Sequence, residues 1–371
     1  MIDFIRLNCY TWDNHRQEDR PMPDLLLLLL PLLCLWGLGF ARPFGKQLNT
    51  DCLSPDRALS LRGLMSLGVI FVHLGQYHQA GPALELISKL GYYMVAVFFF
   101  LSGYGLQSQY IRRNNYAKGF LFKRLRLVLL PYIVLTGIYW SYYLWMGRDY
   151  DLKYVLGRFL QGNPLVSFSW YILAILSFYL AFWLLMRLCK GNHKAMLLGG
   201  LVWFAVHTAV CVALKFSAFW YLSALCPVVG MAWAIYRKQI EALLQKRYFA
   251  VLAATALALG VTILLDLLID LPVFSEAIKI ASASLFAVTF VLTTYKLRIG
   301  NPILRFLGQM SMELYLTQGL AMMLLRSRLI NVENSLLYSI LVFPVTVLLA
   351  AIVYIAFKGI PGLTEKKKPK K

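Results

Sequence analysis

Long runs of apolar residues, separated by short polar segments, restrict this chain to very few fold classes. A helix that crosses the hydrocarbon core of a membrane needs about 20 predominantly apolar residues. Ten runs of suitable length and composition are present, at 59–77, 90–106, 127–146, 168–186, 195–214, 217–235, 248–265, 280–295, 306–325 and 336–357. Hydrophobic residues make up 60% of the chain, which is more than a soluble domain carries. The sequence therefore predicts an all-α, polytopic membrane protein of about ten transmembrane helices.

A shorter apolar segment at 24–41 precedes these runs and is interrupted by Pro31. It could span the membrane thinly, lie re-entrant, or serve as an uncleaved signal anchor, and the sequence leaves all three open. The expected organisation is an N-terminal extension with this segment at 1–56, a transmembrane domain at 57–357 and a basic tail at 358–371.

The net charge of +20 is distributed unevenly between the two sides of the membrane. Alternate loops, counted together with the C-terminal tail, hold 26 Lys and Arg against 4 acids, whereas the opposite loops hold 8 against 7. Cytoplasmic loops carry the basic excess, so we expect a multi-pass protein of the plasma membrane with a cytoplasmic C-terminus. Topology and attraction to anionic lipid explain the charge, and we expect membrane lipids but no nucleic acid among its partners.

Several common chemistries have no signal in the sequence. The six cysteines include no CxxC pair, so neither a metal site nor a disulfide framework is expected. The chain also lacks a P-loop, an HExxH motif and a GxSxG motif, and it has no soluble segment long enough to form a domain. Any chemistry must therefore take place in or at the membrane.

Arg62 and His73 share an apolar segment that otherwise suits lipid. They are eleven residues apart, so an ideal helix places both on one face, separated by roughly 16 Å. Arg62 either anchors the helix at the cytoplasmic boundary or takes part in function. For His73 the functional interpretation is favoured over a structural hydrogen bond, because ionisable groups inside a bilayer are costly and commonly mark a pathway or a reaction centre.

Several stretches in order along the chain carry a family resemblance. They are "LRGLMSLGVIFVH", "VAVFFFLSGYGL", "FKRLRLVLLPYI", "SFSWYILAILSFYL" and "FLGQMSMELYLTQ". Together they resemble the acyltransferase-3 family of ten-helix membrane acyltransferases, over roughly 57–357. The resemblance implies transfer of an acyl group, usually acetyl, from cytoplasmic acyl-CoA to a hydroxyl of a cell-surface or lipid-linked glycan. A separate extracytoplasmic partner protein is a further possibility.

His73 suits this chemistry as the catalytic residue. A hydroxyl that attacks a thioester must lose its proton, and a neutral imidazole can accept it. The imidazole can instead carry the acyl group transiently, and the sequence does not separate the two routes.

Cations are needed to bind the phosphates of acyl-CoA. The basic stretch at 107–126 contains no acid, and within it we predict Lys123, Arg124 and Arg126 as acyl-CoA ligands. The family pattern suggests that Arg62 contacts a phosphate or the thioester-bearing arm. The alternative is that this stretch is merely the most basic cytoplasmic loop.

Secondary candidates come from two other motifs. Ser102 and Tyr104 lie in "FFFLSGYGL", where small residues typically serve helix packing but where the family places the reaction centre nearby. Trp170 opens a helix at the outer side, either as an interfacial anchor or as a stacking surface for the acceptor.

The late apolar run departs from the family pattern. The family commonly ends "YLxH" there, whereas this chain has Gln318 in place of histidine, so a second catalytic histidine at this position is in doubt. Glu313, an acid well inside an apolar run, is expected to pair with Arg or Lys. His207 is another intramembrane histidine, of a kind also used by a different family of membrane-bound O-acyltransferases.

A transporter or flippase of a glycan or lipid-linked substrate is the alternative function. His73, Glu313 and the basic loops would then line a substrate path. Transporters commonly contain internal repeats, and no convincing repeat is visible in this sequence.

Overall fold

The computed structural model describes residues 47–77, 87–113, 115–269 and 271–358. Within these ranges the regular structure is helical. The apolar segment predicted at 24–41 and nearly all of the basic tail lie outside the described residues.

Thirteen helices make up the described part of the chain. They are α1 (Pro55–Tyr77), α2 (Gly91–Arg112), α3 (Phe120–Trp145), α4 (Leu152–Leu160), α5 (Trp170–Cys189), α6 (His193–Ala213), α7 (Phe219–Leu222), α8 (Cys226–Ile235), α9 (Arg237–Leu268), α10 (Pro272–Thr294), α11 (Pro302–Gln309), α12 (Ser311–Leu325) and α13 (Ser335–Lys358).

Seven of these helices are long and apolar enough to cross a membrane: α1, α3, α5, α6, α9, α10 and α13. The other three predicted runs have a different form. The run at 90–106 is α2, whereas those at 217–235 and 306–325 are each divided into two shorter helices. The all-helical fold is thus confirmed, and the count of about ten crossings stays a prediction.

Helix α2 is surrounded mostly by protein rather than by lipid. More than half of its residues are buried, including polar ones such as Ser102 and Gln107. A helix that is buried nearly all round does not need a lipid-compatible face, so it can carry Gly, Ser, Gln and Tyr.

Close packing of α2 against α8 depends on two glycines. A methyl group on Gly103 would lie 1.9 Å from the Pro227 carbonyl oxygen, and one on Gly230 would lie 2.2 Å from the Phe100 carbonyl oxygen. Only glycine permits backbones to approach this closely.

Helix α1 is fixed in the same way against α11. A methyl group on Gly63 would lie 1.9 Å from the Leu304 carbonyl oxygen, and one on Gly308 would lie 1.8 Å from the Leu59 carbonyl oxygen. This backbone contact holds the helix that carries Arg62 and His73 at a fixed height in the bundle.

The predicted orientation can be tested at the two ends of α6. Lys190 and Leu214 are both exposed and flank this helix on opposite sides. In sealed vesicles of known orientation, we expect a membrane-impermeant maleimide to label Leu214→Cys only from the extracytoplasmic side and Lys190→Cys only from the cytoplasmic side. The parent chain, which has six cysteines, measures the background. The opposite pattern would invert the topology, and labelling of both from one side would mean that α6 does not cross.

Candidate functional site

His73 lies near the C-terminal end of α1 and is buried, with 6% of its surface exposed. Its imidazole stacks on the ring of Phe168, with ring centres 3.6 Å apart and planes inclined by 7°. The ring of Tyr315 approaches from the edge, with its centre 6.3 Å away. Two aromatic rings from distant parts of the chain therefore fix the plane of the imidazole.

Phe168 belongs to the loop that leads into α5. Its φ of 64° lies in the left-handed region, which a bulky residue rarely adopts. The hydroxyl of Tyr315 donates a hydrogen bond to the Phe168 carbonyl oxygen. Helix α12 therefore helps to hold the strained residue whose ring covers His73.

Gln318 lies one turn after Tyr315 and also faces the imidazole. Its side-chain nitrogen donates a 3.0 Å hydrogen bond to the Tyr315 carbonyl oxygen, and its amide is close enough to His73 to interact with it. The side-chain oxygen of Gln318 and Nδ1 of His73 are buried without a hydrogen-bond partner among the described residues. Buried polar atoms are nearly always satisfied, so these two atoms either pair with each other after a small shift or bind a further partner.

A second group of polar residues lies on the Arg62 side of Tyr315. The ring centres of Tyr171 and Tyr315 are 5.4 Å apart. The hydroxyl of Tyr171 is close enough to interact with Ser102 and with the charge on Arg62. Arg62 is half-buried and forms no salt bridge with any described residue. The structure thus connects Arg62 to His73 through Tyr171 and Tyr315.

Arg124 points into the bundle near the start of α3. Its guanidinium lies 5.7 Å from the ring centre of Phe120 and 5.4 Å from that of Tyr179, and it interacts with Tyr116. Tyr179 lies on α5, two turns beyond Tyr171. Arg124 is therefore a cation held by aromatic rings, one of which, Tyr179, lies on the helix that carries Tyr171.

The remaining cations of this stretch have different surroundings. Lys123 is exposed, and Arg126 faces a surface pocket between α3 and α13. Residues two positions apart on a helix are rotated by about 200°, so Arg124 and Arg126 point to nearly opposite sides of α3. The structure therefore separates cations that the sequence grouped.

Tyr104 and Trp170 are not brought into contact with His73. The hydroxyl of Tyr104 accepts a 3.2 Å hydrogen bond from Arg237, which also pairs with Glu241 at 2.7 Å. Trp170 is half-buried, and its ring lies 6.5 Å from that of Phe219 and 6.4 Å from that of Tyr171. Trp170 thus reaches the site only indirectly, through Tyr171.

Glu313 has the basic partner that the sequence predicts. Its carboxylate is fully buried and lies 2.6 Å from Nζ of Lys358, at the last residue of α13. This ion pair joins the first turn of α12 to the end of the last helix. Because Tyr315 and Gln318 lie on α12, Glu313 supports the site from outside it.

His207 serves helix packing. Nε2 donates a 3.0 Å hydrogen bond to the Trp220 carbonyl oxygen, and the ring stacks on Trp203 with centres 5.2 Å apart. The imidazole of His207 is half-buried and engaged with α7, whereas Nδ1 of His73 has no hydrogen-bond partner among the described residues. This difference favours His73 over His207 as a reacting group.

Three residues of the site were missed by sequence reasoning: Phe168, Tyr171 and Tyr315. All three lie in the stretches that carry the family resemblance. Tyr315 precedes Gln318 by three residues, and such a spacing on a helix indicates a shared face. Nothing in the sequence indicates that Phe168 would reach back to α1.

The helices and their interior polar groups define a polytopic membrane protein with a site inside the helix bundle. The chain belongs to the acyltransferase-3 family, since the family model described as an acyltransferase domain matches residues 60–355. The match begins in α1 and ends in α13, so it includes every residue of the site around His73. No curated protein and no solved structure matches the chain. Its membership makes this protein a membrane acyltransferase.

Proposed function

We propose that the protein moves an acetyl group from cytoplasmic acetyl-CoA to a hydroxyl of a cell-surface or lipid-linked glycan. The observation that carries the proposal is the buried imidazole of His73, whose Nδ1 has no partner among the described residues. Family membership supplies the reaction class, and the cations Arg62 and Arg124 supply a reason for an anionic acyl donor.

His73 acts on the acceptor hydroxyl. In the direct route, the imidazole takes the hydroxyl proton while the oxygen attacks the thioester carbonyl. The carbon–sulfur bond then breaks, and the sulfur leaves as the CoA thiol after it takes a proton from the imidazolium. The route through an acyl-imidazole uses the same residue as nucleophile, and the two routes differ in whether a labelled acyl-enzyme forms.

The acyl donor would enter from the side where α3 begins. In this proposal Arg124 and Lys123 bind the phosphates of CoA, and Arg62 binds the arm that leads toward the thioester. Tyr171 interacts with Ser102 and with the charge on Arg62, and its ring contacts that of Tyr315 beside the imidazole. Gln318 lies beside His73, and its side-chain oxygen, which has no hydrogen-bond partner among the described residues, can accept a hydrogen bond from the acceptor.

Transfer of labelled acetyl by detergent-purified protein tests the proposal. We expect label from acetyl-CoA to reach lipid-linked glycans offered as acceptors, with slower hydrolysis when no acceptor is present. Folded protein that neither transfers nor hydrolyses any acyl-CoA would favour the transporter alternative, which binding and movement of a lipid-linked glycan would then test.

Arg124→Ala should raise the KM for acetyl-CoA by about 10-fold with little change in kcat, because one charge-assisted hydrogen bond is lost. The measurement is initial rate against acetyl-CoA concentration. Lys118→Ala is the control, since Lys118 is an exposed cation of the same basic stretch. Equal effects of the two substitutions would show that only the overall charge of this stretch matters.

A further inference from the structure

A pocket of ≈ 250 Å³ opens on the surface between the first turns of α3 and the last turn of α13. Two cations and four apolar residues line it: Arg126, Leu127, Leu130, Ala356, Phe357 and Lys358. It lies at the ends of two helices that are long and apolar enough to span a membrane. The pocket is thus at the level where lipid headgroups meet hydrocarbon.

The charges around this pocket are not balanced within the described residues. Lys358 lies 2.6 Å from the carboxylate of Glu313, whereas Arg126 is exposed and forms no salt bridge with a described residue. Two cations against one carboxylate leave a single positive charge at the pocket. An ammonium has three donors, so Lys358 can hold Glu313 and a second anion together.

The apolar walls restrict what the anion can be. Leu130 is 43% exposed, and together with Leu127 and Phe357 it continues the pocket along the lipid-facing surface. A soluble phosphate would use only the two cations, whereas a phospholipid would use the cations for its phosphate and the apolar walls for its acyl chain. The lining therefore favours a lipid.

We propose that this pocket binds an anionic phospholipid of the cytoplasmic leaflet, with its phosphate between Arg126 and Lys358. The site is distinct from the acyl-CoA route, because Arg126 points about 200° away from Arg124 around α3. Lys358 holds Glu313 on α12, so the bound lipid contacts the ion pair that supports the helix of Tyr315 and Gln318.

Native mass spectrometry of the purified full chain with phosphatidylglycerol tests the proposal without any need for activity. We expect Arg126→Gln to weaken phosphatidylglycerol binding by about five-fold, as the loss of one basic side chain near anionic lipid predicts. Leu130→Trp, which fills the pocket and removes no charge, should weaken it as well. Lys246→Gln, which removes an exposed cation elsewhere at the same predicted membrane side, should leave binding unchanged.

Competition identifies the source of the phosphate. Neither phosphatidylcholine nor inorganic phosphate should displace phosphatidylglycerol from this pocket. Displacement by acetyl-CoA that depends on Arg126 would overturn the proposal and return this residue to the acyl-CoA site. Equal loss of binding in Lys246→Gln, or unchanged binding in both pocket variants, would also overturn it.

Discussion

His73→Ala should abolish acetyl transfer while the protein remains folded in the membrane. General acid–base catalysis contributes about 10²–10⁴-fold to rates, so we expect kcat to fall by at least about 100-fold. Folding should be affected less, because Nδ1 of His73 has no hydrogen-bond partner to lose among the described residues. The measurement is the transfer of labelled acetyl at saturating acetyl-CoA, with size-exclusion chromatography to verify the fold.

His207→Ala is the matched control for this prediction. Both imidazoles stack on an aromatic ring, but that of His207 is bonded to the Trp220 carbonyl oxygen. Loss of His207 should therefore lower stability and leave the chemistry intact. Transfer that survives His73→Ala and disappears with His207→Ala would place the base on α6 and reject the site around His73.

The sequence predicted the parts of the site that depend on spacing within one helix. Arg62 and His73 share a face because eleven residues correspond to three turns, and the structure joins them through Tyr171 and Tyr315. The need for a basic partner of Glu313 followed from the cost of burying a carboxylate. That the partner is Lys358, in the last turn of the last helix, depends on packing that spacing does not reveal.

The parts that the sequence did not predict depend on contacts between distant segments. Phe168 lies in a loop, and its left-handed backbone is tolerated because Tyr315 and the site around it hold it in place. The apolar run at 306–325 predicts a single helix, but the structure has a break at Met310, between α11 and α12. The preceding helix is instead held against α1 through Gly308, whose close approach to Leu59 is a tertiary contact.

Arg124 and Arg126 are neighbours in the sequence but have different surroundings in the structure. On the sequence they form one basic patch, and both were predicted as acyl-CoA ligands. A helix separates them by about 200°, so one enters the aromatic surroundings of Tyr179 while the other reaches the surface pocket.

Arg62→Gln should lower kcat/KM for acetyl-CoA by about 100-fold, which is the upper range for the loss of charge-assisted hydrogen bonds. The thermal stability of the protein should not fall. The half-buried guanidinium of Arg62 has no salt-bridge partner among the described residues, so the fold loses little when the charge is removed. Initial rates against acetyl-CoA concentration and a thermal melt measure the two effects.

Arg237→Gln separates a functional cation from a structural one. Arg237 is also half-buried, but it pairs with Glu241 at 2.7 Å and donates hydrogen bonds to Tyr104 and to the Thr50 carbonyl oxygen. Its loss leaves these groups without a partner, so the melting temperature should fall while the KM for acetyl-CoA stays near that of the parent. If Arg62→Gln instead lowers stability as Arg237→Gln does, and the KM does not change, Arg62 is an anchor of α1. A charge inside the membrane is costly, and the described residues form no salt bridge with that of Arg62. A substrate that pairs with this charge is the best explanation for its presence.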